Sequence, residues 1–240
     1  MLKPWLKFFR VVNLPTVPGD VLAGAAAVLS ANGGMTVFWA PVAACVAGVL
    51  LYLFGLADND IVGARTDAGR PIPDGEISMR AAQIARGLCL FGALAVGSQA
   101  NLPPAWWVSA FLLTAAVVVY NRTKWPLMMG LCRGLNVLCG GLCLATRFRH
   151  MEGVPDNGRL ELVCLFAVWT VYIAIVTKYS EGEEADEAKR RRVGFLIGAI
   201  VYLQLIALIV FPVKPFLIAG AVLLILLRLM KRLLPEVSAS

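Results

Sequence analysis

The sequence predicts an all-α, polytopic membrane protein with about eight helices around a central cavity. Three observations predict it. Of 240 residues, 59% are hydrophobic, and mean hydropathy is +0.76. Only 15% are charged, where a soluble domain carries about a quarter. Long apolar runs alternate with short charged loops, and no polar stretch is long enough to build a soluble domain. Residues 1–240 are therefore read as a single integral-membrane domain.

The apolar segments run over residues 17–31, 39–56, 81–98, 105–120, 127–145, 160–177, 193–211 and 216–230. The first is short, and residues 5–12 could extend it as a helix kinked at Pro15 and Pro18, since proline removes a backbone donor. Gln83 and Arg86 interrupt the start of the third. Gly24, Gly48, Gly55, Gly130, Gly134, Gly140 and Gly141 are expected to permit close helix packing. Trp39, Trp106, Trp107 and Trp125 fit interfacial belts. Gln204, within the seventh segment, suits an interhelical hydrogen bond.

An even number of spans puts both termini on one side. That side collects Lys3, Lys7, Arg10, Arg65, Arg70, Arg80, Arg86, Arg122, Lys124, Lys178, the run 189–192, Arg228, Lys231 and Arg232. The other side has Arg147, Arg149, Arg159 and Lys214. The positive-inside rule then predicts cytoplasmic termini in a bacterial-type inner membrane. The net charge of +7 is this bias. Because the basic residues border membrane helices, the expected partner is the anionic lipid bilayer, and no nucleic acid. The six cysteines all fall in apolar segments without C-x-x-C spacing, and read as small buried hydrophobes.

Chemistry concentrates where the second apolar segment ends, in Ala57-Asp58-Asn59-Asp60-Ile61-Val62-Gly63-Ala64-Arg65-Thr66-Asp67-Ala68-Gly69-Arg70-Pro71-Ile72-Pro73. Acidic residues at the end of a membrane helix are costly and mark function. If the helix continues for three turns past Leu56, Asp60 and Asp67 share one face. Carboxylates suit Mg²⁺, which takes one or two of them plus substrate phosphate oxygens. The alternative is a solvated helix end whose Asp and Arg pair with each other. A second acidic run, Glu181-Gly182-Glu183-Glu184-Ala185-Asp186-Glu187, ends the sixth segment on the same side. The two runs could face each other across the cavity, or the second could simply balance the basic run at 189–192.

These motifs resemble the UbiA-type intramembrane prenyltransferases. The family pattern Asn-Asp-x-x-Asp-x-x-x-Asp is similar to Asn59-Asp60-x-x-Gly63-x-x-x-Asp67, with Gly63 in place of the middle aspartate. Arg70-Pro71-Ile72-Pro73-Asp74-Gly75 matches the family's Arg-Pro-(Ile/Leu)-Pro-x-Gly. Arg10-Val11-Val12-Asn13 resembles its Arg-x-x-Asn entry, and Tyr120-Asn121-Arg122-Thr123-Lys124 its Tyr-x-x-x-Lys. The stretch Gly130 to Asn136, including Arg133 and Gly134, is like its Gly-x-x-x-Gly-x-x-Asn variants. Glu181-Gly182-Glu183 corresponds loosely to the second acidic motif, with Tyr179 where its first aspartate would stand.

The resemblance implies transfer of a polyprenyl group from an isoprenoid diphosphate to a small aromatic or alcohol acceptor, with Mg²⁺ as cofactor. It implies that Asn59, Asp60 and Asp67 hold one Mg²⁺ and that Glu181 and Glu183 hold a second. Arg70, Lys124 and Arg133 would contact the diphosphate; for Arg133 the alternative is a structural pair with Asp20 or Glu183. Asp60, Asp67 and Lys124 would be the catalytic residues. Arg10, Asn13 and Asp20 would line the acceptor pocket, although Asp20 could instead cap a helix restarted after Pro18. Three other readings stay open: a non-catalytic lipid-binding or scaffold protein, a membrane terpene cyclase, and a small-molecule transporter.

Overall fold

The computed structural model describes residues 2–31, 39–65, 69–145, 157–182 and 187–233. They form helices α1 (Leu2–Phe8), α2 (Thr16–Ala31), α3 (Trp39–Val62), α4 (Met79–Gln99), α5 (Pro104–Thr123), α6 (Pro126–Leu142), α7 (Asn157–Ser180), α8 (Glu187–Val210) and α9 (Lys214–Leu233), with a 3-10 turn at Val11–Asn13. No strand occurs among them. Each predicted apolar segment coincides with one of the helices α2 to α9. Six described helical spans are long and apolar enough to cross a membrane. The protein is an integral membrane protein.

The start of the chain differs from a single kinked helix. Arg10 adopts a left-handed conformation (φ 40°) between α1 and the 3-10 turn, and α2 starts at Thr16. The break lets α1 fold back. Phe8 is buried with Ala57, Ile77 and Ala82, and Trp5 and Phe9 pack beside them. Thus α1 covers one end of the bundle instead of lengthening a span.

Helix α2 is almost wholly buried. It packs against α3, α6, α7, α8 and α9, while α6 packs against α2, α3, α5 and α7. Small residues make this possible. A Cβ on Gly24 would sit 2.0 Å from the Val137 carbonyl oxygen, and one on Gly140 2.0 Å from that of Val21. The two backbones therefore approach more closely than any larger residue permits. Toward the outside, Leu88, Phe91, Phe111, Phe195 and Ile218 are exposed, the pattern of a surface solvated by lipid. Trp39 and Trp125 are exposed as belt residues would be. Trp106 is instead buried in the core, where its ring fills the space left by Gly97, so it is no belt residue.

Helix α3 stops at Val62, with a turn through Gly63 to Arg65. The continuous helix that would align Asp60 with Asp67 does not form. Asp67 itself lies outside the described residues, as does Glu183.

Candidate active site

The chain after α3 returns through a compact turn that the Arg-Pro-Ile-Pro-Asp-Gly sequence encodes. The amide of Asp74 donates to the Arg70 carbonyl (3.0 Å), that of Gly75 to Ile72 (3.0 Å) and that of Ile77 to Pro71 (3.0 Å). Gly75 takes φ 75°, which a side chain would resist. Ser78 then caps α4, its hydroxyl accepting from the Ala81 amide at 3.2 Å. The Lys7 ammonium donates to the Gly69 carbonyl at 2.8 Å, tying α1 to this turn. The outcome is that Arg70 points back at α3.

There it meets Asp60. Arg70 Nη1 lies 2.8 Å from Asp60 Oδ1, and Arg10 Nη2 lies 3.4 Å from the same oxygen. Asn59 Nδ2 adds a 3.4 Å contact to it. Asp60 is buried, so its charge needs partners of this kind. Lys124, from the corner between α5 and α6, donates to Asn59 Oδ1. Lys124 is left-handed at φ 53°, and its amide bonds the Tyr120 carbonyl at 2.7 Å. Its ammonium also lies 5.6 Å from the Tyr120 ring centre.

These cations stand at the mouth of a chamber of about 310 Å³. Its wall on α3 is Asn59, Leu56, Gly55, Tyr52, Leu51 and Gly48, successive turns of one helix face. Leu113, Val117, Tyr120 and Asn121 of α5 face it, with Met129, Cys132, Arg133 and Asn136 of α6 and Val17 of α2. From Asn59 to Gly48 the wall descends roughly 16 Å at the helical rise. The chamber is cationic at its opening and mostly apolar beyond it, with Arg133 and Asn136 as polar groups in its α6 wall.

Arg133 lines this chamber yet pairs inward. Its Nε and Nη2 lie 3.0 and 3.2 Å from the two oxygens of Asp20, and Nη2 also donates to the Thr16 carbonyl (3.0 Å). Asp20 has no exposed surface. It accepts as well from Trp169 Nε1 (2.8 Å), Gln204 Nε2 (2.7 Å) and Asn136 Nδ2 (3.2 Å). One carboxylate of α2 thereby ties α6, α7 and α8 together. Asp20 sits inside α2, so it does not cap that helix as expected, and it is fully buried with its oxygens bonded to side chains of α6, α7 and α8 and does not line the chamber. Gln204 makes the interhelical bond expected of it.

Other expected positions also differ. Asn13 sits in the 3-10 turn, where its carbonyl accepts from Thr16 Oγ1 at 2.8 Å, and it does not line the chamber. The break before α2 removes the helical face it would have shared with Asp20. Arg10 lines the chamber at its cationic mouth, on Asp60, instead of in a separate acceptor pocket. Glu181 follows the last residue of α7 and is exposed; its carboxylate meets Lys178 at 2.7 Å and does not reach the chamber. The expected confrontation of two acidic clusters is thus not formed by Glu181.

Asp58, next to Asn59, leaves the site altogether. Arg86 of α4 bonds it at 2.9 Å, Asn121 Nδ2 at 2.9 Å, and Arg122 lies 3.9 Å away. Sequence reading missed this network, although Arg86 in an apolar segment needs a partner by the same cost argument that flagged the aspartates. It also missed Tyr52 as a chamber residue. Tyr52 precedes Asn59 by seven positions, a spacing that places them on one face.

Asn59 lines the mouth and the buried Asp60 lies behind Arg10 and Arg70, so one carboxamide oxygen and one carboxylate are at hand, a set that suits a single Mg²⁺ ion completed by phosphate and water oxygens. Among the described residues no group of three or more His, Cys, Asp or Glu comes together. A second ion finds no ligand in Glu181.

An all-helical membrane bundle with cationic side chains at the mouth of an internal chamber defines a class: polytopic helical membrane proteins with an intramembrane cavity. Residues 21–235 match the family model of the UbiA prenyltransferase family, and the chain belongs to that family. It is similar in fold to a structure of digeranylgeranylglyceryl phosphate synthase, with a TM-score of 0.60 at 17% identity over 99% of this chain and 97% of that one. It is similar also to a UbiA homolog from Archaeoglobus fulgidus bound to GPP and Mg²⁺ (TM-score 0.60, 14% identity, 97% of this chain and 87% of that one). The same homolog bound to DMAPP and Mg²⁺ gives a TM-score of 0.57 at 13% identity over the same shares. No curated protein matches the chain.

Proposed function

We propose that this chain, as one membrane unit over residues 1–240, transfers a prenyl group from an isoprenoid diphosphate to a small aromatic or alcohol acceptor. The observation that carries the reading is the convergence of Arg10, Arg70 and Lys124 on Asn59 and Asp60 at the mouth of the apolar chamber. The solved relatives that bind GPP or DMAPP with Mg²⁺ support it. The basic end of the bundle, with both termini and this mouth, faces the cytoplasm in the proposed orientation.

The chemistry follows from the layout. Arg70 is a planar fork suited to phosphate oxygens, and Lys124 a compact point charge. Positive groups at the mouth stabilise negative charge as it grows on the leaving diphosphate when the allylic C–O bond breaks. A Mg²⁺ on Asn59 and Asp60, with Asp67 as the further proposed ligand, would add Lewis-acid charge neutralisation there. Tyr52, Leu51, Leu113 and Val117 line the apolar depth that holds the isoprenoid and keeps water from the allylic cation. The acceptor then supplies the electron pair for the new bond.

Purified protein in detergent with Mg²⁺ should release diphosphate from geranyl, farnesyl or geranylgeranyl diphosphate only when a suitable acceptor is present. Asp60→Ala should abolish the release. Binding without turnover across a broad acceptor panel would select the scaffold reading. A cyclic hydrocarbon formed without acceptor would select the cyclase, and solute movement into sealed vesicles without product the transporter. Comparing the lipids of cells with and without the protein would identify the acceptor.

A further inference from the structure

Two hydroxyls of the chamber wall, those of Tyr52 and Tyr120, make no hydrogen bond among the described residues. The other polar side chains behind the mouth are committed. Arg133 and Asn136 bond Asp20, and Asn121 bonds the Gly55 carbonyl and Asp58. Asn136 Oδ1 has no partner, but it is sealed against Gly48, 2.8 Å from where a Cβ would stand.

The two hydroxyls differ in depth. Tyr120 stands one helical turn before Lys124, whose ammonium lies 5.6 Å from its ring centre, so it belongs to the mouth. Tyr52 is seven residues from Asn59, about 10 Å farther in at the helical rise. Helix α3 runs from Trp39 to Val62 with its last turns at the mouth, and side chains lean toward the N-terminus of their helix. Tyr52 therefore leans away from the end where a diphosphate would bind. Around it the wall is apolar, with Leu51, Leu56, Leu113 and Val117.

A phenol hydroxyl enclosed in apolar surroundings needs a hydrogen-bond partner. In an empty chamber water can serve. During prenyl transfer it cannot, because water would quench the allylic cation and is excluded. The isoprenoid tail is hydrocarbon and offers neither donor nor acceptor atoms. The diphosphate is held two turns away. One molecule of the reaction remains, the prenyl acceptor.

Resting on the prenyl-diphosphate reading above, we propose that Tyr52 binds the acceptor. Its hydroxyl hydrogen-bonds an oxygen of that molecule on the side away from the diphosphate, while the reacting atom of the acceptor faces the allylic carbon near the mouth. The chamber thereby selects acceptors with a hydroxyl or carbonyl oxygen remote from the reacting atom. A site built to hydrogen-bond such a group rejects analogues that lack it, since its own polar group is then left unpaired.

The test removes one oxygen atom. Cells making the wild-type protein, Tyr52→Phe or neither are compared for prenylated lipids, and the product found only with the wild type identifies the acceptor. Both proteins are then purified into lipid nanodiscs with Mg²⁺. Geranyl diphosphate binding is measured by calorimetry, and diphosphate release is followed against the concentration of that acceptor. Tyr52→Phe should raise the acceptor KM at least tenfold, with kcat at saturating acceptor within threefold. The geranyl diphosphate Kd should stay within twofold and the melting temperature should not change. An acceptor KM equal to that of the wild type would overturn the inference. So would weakened geranyl diphosphate binding, which would put Tyr52 on the prenyl donor, or a lowered melting temperature with KM unmoved, which would make its role structural. All three outcomes leave the prenyl-diphosphate reading intact. No prenylated product from the wild type would remove that reading, and this inference with it.

Discussion

Asp58 and Asp60, two positions apart on α3, turn to opposite sides of the helix: Asp58 bonds Arg86 at 2.9 Å and Asp60 bonds Arg70 at 2.8 Å. Two residues advance about 200° around a helix, so neighbouring carboxylates serve different ends. One joins α3 to α4 and α5, and the other holds Arg10 and Arg70, which line the chamber mouth. Their variants should therefore separate stability from chemistry. Asp58→Asn is expected to cost about 1–3 kcal/mol, as a charged hydrogen bond is lost while Arg86 remains partly solvated, and to lower the melting temperature in detergent. Turnover per folded molecule should persist. Asp60→Asn should abolish diphosphate release with little change in melting. Equal effects of both on turnover would contradict this division.

Arg70 is presented by a turn whose hydrogen bonds do not involve its side chain. Truncation keeps that turn but removes the 2.8 Å partner of the buried Asp60, so binding is compared per folded molecule. Arg70→Ala is expected to weaken geranyl diphosphate binding roughly ten- to hundredfold, the loss of a charge-assisted bond worth about 1.5–3 kcal/mol. Arg70→Lys should recover only part of it, since an ammonium lacks the guanidinium fork. Isothermal titration of the three proteins checks the order wild type, Lys, Ala.

The Asp20–Arg133 pair gives a sharper thermodynamic signature. Asp20→Leu leaves a cation buried beside Trp169 and Gln204, and should destabilise by about 3–5 kcal/mol. Replacing both members, Asp20→Leu with Arg133→Met, should return much of that stability, because the uncompensated charge is gone. A double-mutant cycle on thermal unfolding measures the coupling. Simple additivity of the two single variants would show that the pair does not act as a unit.

Crowding between α2 and α6 is testable by volume alone. In Gly140→Val the new Cβ would fall 2.0 Å from the Val21 carbonyl oxygen, which belongs to backbone and cannot swing aside. Little monodisperse protein is expected on size exclusion. Gly87→Ala, where nothing lies within 4 Å of the added atom, is the control and should behave as wild type.

Much of the fold was legible because the bilayer imposes a simple rule on sequence: a span is a long apolar run, and each predicted run became a helix. The site was legible in part. Asn59, Asp60, Arg70 and Lys124 could be found because charge at a membrane edge is expensive and the Arg-Pro-Ile-Pro turn is distinctive. The partners of Asp20 could not. Arg133, Asn136, Trp169 and Gln204 come from three helices far apart in the chain. Only helix packing brings them to one carboxylate.

Sequence alone determined that the chain is membrane-embedded and helical, and it pointed to a candidate site among the charged residues that end its apolar runs, since hydropathy and charge act locally along the chain. Tertiary structure decided which charges meet. It gave Asp60 to Arg10 and Arg70, gave Asp58 to Arg86, closed Arg133 onto Asp20, and left Glu181 at the surface. Pairing depends on how helix faces are rotated against one another, and that is set by glycine contacts and chain breaks acting across the whole bundle.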